Sequence, residues 1–232
     1  VKTQGKRREG VMLRIGVLLS GCGVFDGSEI HEAVITLLEL DRAGAEIVCM
    51  APNMDQYHVI NHLTQEEMPE KRNVLVESAR IARGQIKDVR DVSASDLDGL
   101  IIPGGFGAAK NLCDFAFKGA NATVHPDVER LLKEMVEARK PIGAVCIAPA
   151  LIAKALSARK PEVTIGTDEN TAKTIEAMGA VHFSCPVDDI HVDEKNKIVT
   201  TPAYMLGPSI KHVAEGIRKL VQKVVEMARN NG

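Results

Sequence analysis

Apolar positions along the chain fall into short runs that alternate with longer amphipathic stretches. The runs at residues 13–19, 46–51, 99–103 and 141–145 are short, rich in β-branched residues and apolar apart from Arg14 and Glu46. That is the character of strands buried on both faces of a parallel sheet. Helical patterns stand between them, around residues 28–42, 126–138, 148–158 and 170–178. Strands and helices alternating at this spacing predict right-handed βαβ units and an α/β fold, a parallel sheet covered by helices on both faces. Residues 189–200, with a polar centre from Asp193 to Lys197 between two β-branched runs, read as a hairpin that adds antiparallel strands to the sheet. A last helix over 208–229 places Ile210, Val213, Ile217, Leu220, Val221 and Val224 on one stripe, which predicts a core-facing side. Residues 53–87 show no clear strand and read as an insertion with a helix near 77–82. No repeat or linker divides the chain, so residues 13–232 read as one domain and residues 1–12 as a flexible extension.

Composition narrows the function. The chain has 232 residues, with 29 Lys+Arg against 31 Asp+Glu and a formal net charge of -2. A general binder of nucleic acid or of a membrane surface needs a basic face, which this balance argues against. Two tyrosines, five phenylalanines and no tryptophan leave little for a base-stacking platform. No apolar run approaches the ~20 residues of a membrane span, and the N-terminal stretch lacks a signal peptide's apolar core. A cytoplasmic location is expected. The five cysteines, Cys22, Cys49, Cys113, Cys146 and Cys185, are scattered with no C-x-x-C pair, so free thiols are expected and no metal site.

In an open parallel sheet, chemistry gathers beyond the carboxyl ends of the strands. Three places stand there. After the first strand come Gly21, Gly23, Asp26 and a helix carrying Glu29, His31 and Glu32; after the 99–103 strand come Gly104 and Gly105; after the 141–145 strand comes Cys146. Asp26 occupies the third glycine position of G-x-G-x-x-G, so a dinucleotide loop is not supported. Cys146, at a strand-to-helix switch between Ala144 and Ala148, has the logic of a nucleophile elbow, where small neighbours clear room for a side chain presented on a sharp turn. A helix N-terminus behind it would favour the thiolate. The competing reading is a buried cysteine that acts as a small hydrophobe. Gly104 and Gly105 leave amides unobstructed, as an oxyanion site requires, although tight turning explains them equally well. Helical spacing puts Ile30, Ala33, Val34 and Leu37 on one face and Glu32 nearly opposite, so solvated surface competes with a role in the crevice. Glu29, nearer the helix start, reads as an N-terminal charge favoured by the dipole.

Taken together, Glu32, residues 103–105 and residues 144–149 resemble the ThiJ/PfpI superfamily, within the class I glutamine amidotransferase-like fold. The longer motifs at 19–32, 103–112, 146–149 and 196–205 are similar to its isoprenoid-biosynthesis glyoxalase branch, which has mitochondrial homologues, and the likeness runs from about residue 13 to 227. The resemblance implies a flavodoxin-like three-layer sandwich with an added β-hairpin. It also implies a cysteine enzyme that turns glyoxal into glycolate without glutathione, metal or other cofactor, a link to isoprenoid biosynthesis, a small dicarbonyl substrate and a homo-oligomer, a dimer. Carried over residue by residue, the nucleophile falls on Cys146, the helix carboxylate on Glu32, and the oxyanion donors on the amides of Gly105 and Ile147. Protein deglycase activity on the same cysteine, a redox-sensing or regulatory protein, and a glutamine-hydrolysing subunit are the alternatives. Many superfamily members carry a histidine directly after the cysteine or in the loop after the next strand, where this chain has Ile147 and residues 164–167. His31, His58, His62 and His191 are therefore candidates by space alone, and His191 with Asp193 falls in the proposed hairpin.

Overall fold

The computed structural model describes residues 12–231. Of the expected extension, residues 1–11 lie outside this range. Chain order is β1 (Arg14–Leu18), α1 (Ile30–Arg42), β2 (Glu46–Ala51), β3 (Val59–Ile60), β4 (Glu67–Met68), α2 (Val74–Ile81), β5 (Lys87–Asp88) and β6 (Gly99–Ile102). There follow α3 (Phe106–Lys110), α4 (Phe115–Lys118), α5 (Pro126–Glu137), β7 (Ile142–Val145), α6 (Ala148–Ala155), β8 (Glu162–Val163), α7 (Glu169–Ala177) and β9 (Val181–His182). The chain closes with β10 (His191–Asp193), β11 (Ile198–Thr201) and α8 (Ile210–Arg229).

A seven-stranded sheet in the order β10-β11-β7-β6-β1-β2-β5 forms the centre. Every neighbour pair is parallel except β10 with β11. Helices α1, α2 and α8 seal one face around Val17, Ile101, Val145 and Leu220, and α3, α5 and α6 seal the other around Leu100, Ile102, Leu131 and Leu151. This is the expected three-layer α/β sandwich. Its strands are apolar on both sides because both sides are covered. The hairpin differs from the sequence expectation in one respect. Only its first strand, β10, is antiparallel, whereas β11 lies parallel to β7 and extends the main sheet.

The insertion holds more order than its sequence suggested. Two-residue strands β3 and β4 pair within it, and β5 joins the edge of the sheet beside β2. Strands this short carry too few positions for a period to be read. The chain runs outward from β1 to β2 and β5, then returns to β6 on the other side of β1. Loops leaving β1 and β6 diverge at that reversal and open a crevice, with the end of β7 next in line.

Candidate active site

Cys146 is the residue at which β7 stops. Its φ of +62° lies in the left-handed region, and its amide donates to the carbonyl of Thr201 at 3.0 Å, prolonging the β7–β11 ladder into the turn. Helix α6 begins two residues later, with Ala144 and Ala148 both fully buried beside the turn. A β-carbon pressed into left-handed backbone is costly, so a cysteine held there indicates a position fixed by its surroundings. The expected elbow is present in the geometry.

Glu32 reaches this thiol from α1. Glu29 caps the helix, its carboxylate accepting from the Glu32 amide at 2.7 Å. The Glu32 side chain is completely buried, its Oε2 accepting from the amide of Gly104 at 2.9 Å and its Oε1 from the amide of Tyr204 at 3.3 Å. The carboxyl stands beside the Cys146 thiol, and each group shifts the titration of the other. The solvated-surface reading of Glu32 is thereby overturned. Helix α1 instead buries Glu32, Ala33, Thr36 and Leu40, and leaves Ile30 and Val34 43% and 48% exposed.

The glycine pair after β6 is required by close approach. A β-carbon on Gly104 would lie 2.4 Å from that of Cys146 and 2.6 Å from Glu32 Oε2. One on Gly105, whose φ is +93°, would lie 2.3 Å from the Glu29 amide nitrogen. The loop after β1 is laced onto this pair: Glu29 donates to the Gly104 carbonyl at 2.9 Å, and Gly107 donates to that of Gly27 at 2.8 Å. The amides of Gly105 and Ile147 face the Cys146 sulfur. All four residues singled out in the sequence, Cys146, Glu32, Gly105 and Ile147, thus meet at one point.

Ionisation differs from the sequence expectation. Burial, and then the negative charge of Glu32, hold the Cys146 thiol well above its ordinary range, and the two facing amides only partly oppose them. Burial and the neighbouring Glu29 raise Glu32 to about 8, against the pull of the Tyr204 and Gly104 amides and of the thiol. At neutral pH the pair is therefore a thiol beside a carboxylic acid. Desolvation of the sulfur penalises the charged form more strongly than the two amides favour it.

The histidines do not complete a triad with Cys146. His58 bonds to the Lys110 amine at 2.9 Å, His62 accepts from the Phe25 amide at 3.2 Å, and His191 bonds to Glu162 at 3.1 Å. His31 alone is tied to the site, through Tyr204, whose hydroxyl lies 2.7 Å from its Nδ1. Sequence reasoning passed over Tyr204 and the Gly104 amide as partners of Glu32. Tyr204 stands within the 196–205 motif, which was the one available signal.

The profile of the DJ-1/PfpI family matches residues 22–203, which include Glu32, Gly104, Gly105, Cys146 and Ile147. The chain belongs to the DJ-1/PfpI family. It is similar to the mitochondrial glutamine amidotransferase-like class 1 domain-containing protein 3 of Homo sapiens. The two are 50% identical over 224 residues, covering 92% of this chain and 83% of that protein. The mitochondrial ES1 protein of Danio rerio is 36% identical, with 92% of this chain and 85% of the relative covered. A crystal structure of an isoprenoid biosynthesis protein with an amidotransferase-like domain, from Ehrlichia chaffeensis, superposes with a TM-score of 0.86 at 42% identity. It covers 92% of this chain and 99% of its own. The two named relatives are mitochondrial proteins, in contrast to the cytoplasmic location expected from the sequence. Among the described residues, no helix is long and apolar enough to cross a membrane.

Proposed function

We propose that this DJ-1/PfpI protein is a cofactor-independent glyoxalase that converts glyoxal to glycolate, with Cys146 as nucleophile and Glu32 as the acid and base. The observation that carries the reading is a completely buried carboxyl, accepting from two backbone amides and set beside a thiol on a left-handed elbow, where burial raises it to about 8. A carboxyl tuned close to neutrality exchanges protons in both directions at small cost. Burying one without a use for that property would only destabilise the fold.

In the reaction, the minor ionised form of Glu32, in exchange with the acid near neutrality, takes the thiol proton as sulfur adds to one aldehyde carbon, and that proton passes to the new oxyanion, giving a hemithioacetal. The Gly105 and Ile147 amides receive the oxyanion's developing charge. Glu32 next removes the hydrogen on the sulfur-bearing carbon. The resulting enediol, after a proton shift between its oxygens, is reprotonated by Glu32 on the neighbouring carbon. That leaves a thioester of glycolic acid, and water cleaves it to glycolate and the free thiol. The sequence is an internal oxidation and reduction of the two carbons, so no external electron acceptor enters.

The name of the Ehrlichia chaffeensis protein supports a connection to isoprenoid biosynthesis. The exposed stripe Ile30, Val34 and Leu38 on α1 supports the homo-oligomer implied by the resemblance. Cys146→Ser and Glu32→Gln should each lower glycolate formation from glyoxal by at least about a hundredfold, the scale of losing a nucleophile or a general acid-base group. Chromatographic measurement of glycolate checks this, and turnover near the wild-type level in either variant would overturn the assignment.

A further inference from the structure

Four backbone amides stand against the Glu32 carboxyl and the Cys146 sulfur, those of Gly104, Tyr204, Gly105 and Ile147, and Tyr204 lies furthest along the chain from the helix that carries Glu32. The Tyr204 amide sits in a turn just after β11, and the residue before it, Ala203, has φ +44°, a left-handed conformation that alanine disfavours. Something must hold that turn against α1. Its side chain supplies the tie: the Tyr204 hydroxyl bonds to His31 Nδ1 at 2.7 Å, and the two rings lie 5.7 Å apart between centroids. His31 directly precedes Glu32 on α1, and Tyr204 lies 173 residues further along the chain. One hydrogen bond thus joins the helix that carries the carboxyl to the turn that carries its second amide.

We infer that His31 and Tyr204 form a latch that positions the Glu32 carboxyl beside Cys146, their side-chain bond keeping the Tyr204 amide on Oε1. The inference rests on the role proposed for Glu32 and deepens it. Both latch residues are positioning residues, acting through the carboxyl. When the latch opens, the amide withdraws from Oε1 and the carboxylate loses a donor. Its titration then moves to higher pH, because a hydrogen bond to the charged form favours that form. The groups facing Glu32 are Glu29 before its own helix, Cys146 from the elbow, and the amides of Gly104 and Tyr204. Those facing the Tyr204 phenol are His31, Glu29 and Glu32.

The test compares the whole chain with Tyr204→Phe, His31→Ala, His31→Asn and the double variant Tyr204→Phe/His31→Ala. Two readouts are taken: glycolate kinetics, and the pH dependence of Cys146 alkylation by iodoacetamide. Tyr204→Phe should lower kcat about tenfold with KM nearly unchanged, since misplacing a catalytic group acts on the chemical step. Its alkylation profile should move up by ~0.5 pH unit or more. The double variant should be no worse than the poorer single one, because both break the same bond. His31→Asn, which can place a polar atom where Nδ1 stands, should recover most of the loss. Unchanged kinetics and profile in Tyr204→Phe, multiplicative effects in the double variant, or no recovery with Asn would each overturn the latch. Should the wild-type chain form no glycolate, the glyoxalase reading fails on its own, and the alkylation shift alone decides for or against the latch.

Discussion

Ionising Glu32 costs the fold stability, and the sign of the effect follows from its raised pKa. In the unfolded chain the carboxyl loses its proton near the ordinary 4.5, whereas in the fold it keeps it to about 8. Between those values the folded state binds more protons, so stability falls as pH rises. The favourable contribution is complete below about 4.5 and gone above about 8. Glu32→Gln cannot ionise and loses this dependence, although its amide NH₂ meets one of two backbone donors and sets a fixed penalty. Urea unfolding at pH 5, 7 and 9 should show the stability of the variant relative to wild type rising with pH, by on the order of a few kcal/mol across the range. Parallel pH dependences would mean that the carboxyl is not held protonated. Cys146 was legible in the sequence because a lone thiol between small residues, where a buried strand gives way to a helix, matches the local pattern of an elbow. Glu32 was legible through the resemblance and not through its local pattern, because its helix carries an apolar stripe, Ile30, Val34 and Leu38, that points to solvent.

Two helices on the same face of the sheet show why one pattern could be read and the other could not. In α8 the stripe Val213, Ile217, Leu220, Val221 and Val224 is fully buried, as its spacing predicted, with Ile210 at the helix start left 48% exposed. This helix seals the sheet, so hydrophobic burial sets its rotation. In α1 the rotation follows the bonds that Glu32 makes to Gly104 and Tyr204. Polar contacts across the sheet override the apolar period there. The close seat of α8 depends on Gly143 in β7, where a β-carbon would fall 2.7 Å from Leu220 Cδ2. Strand β7 leads directly to Cys146, so the packing of α8 supports the elbow from below. Leu220→Ala opens a cavity at this seat and should destabilise the protein by about 2–5 kcal/mol in urea unfolding. A loss under about 1 kcal/mol would show that α8 can collapse onto the strand, contrary to the packing described.

The fold assembles its candidate chemistry from four separate strand ends: β1 through α1, β6, β7 and β11. Contacts such as Gly104 with Glu32 and Tyr204 with His31 join residues 72 and 173 positions apart, and only the strand order brings them together. Local patterns revealed the loops but not which of them would touch, and for that reason no histidine could be assigned beforehand. The same topology sets the fate of five chemically identical thiols, none of them in a disulfide. Burial raises Cys49 and Cys185 to about 11 and Cys113 to about 12, and none of the three has a titrating partner comparable to Glu32. Cys146 is also raised by burial, but it faces two amides and an acid that exchanges protons near neutrality. Alkylation by iodoacetamide with peptide mapping should therefore label Cys146 faster than Cys49, Cys113 or Cys185 in the native protein, with an inflection near pH 8 that Glu32→Gln removes. In urea the five rates should converge near that of a free cysteine. Half-buried Cys22 serves as the internal control, since exposure alone would make it react without that inflection. If Cys146 reacts no faster than Cys49 or Cys185, the elbow is only a turn, and the nucleophile has to be sought elsewhere in the crevice.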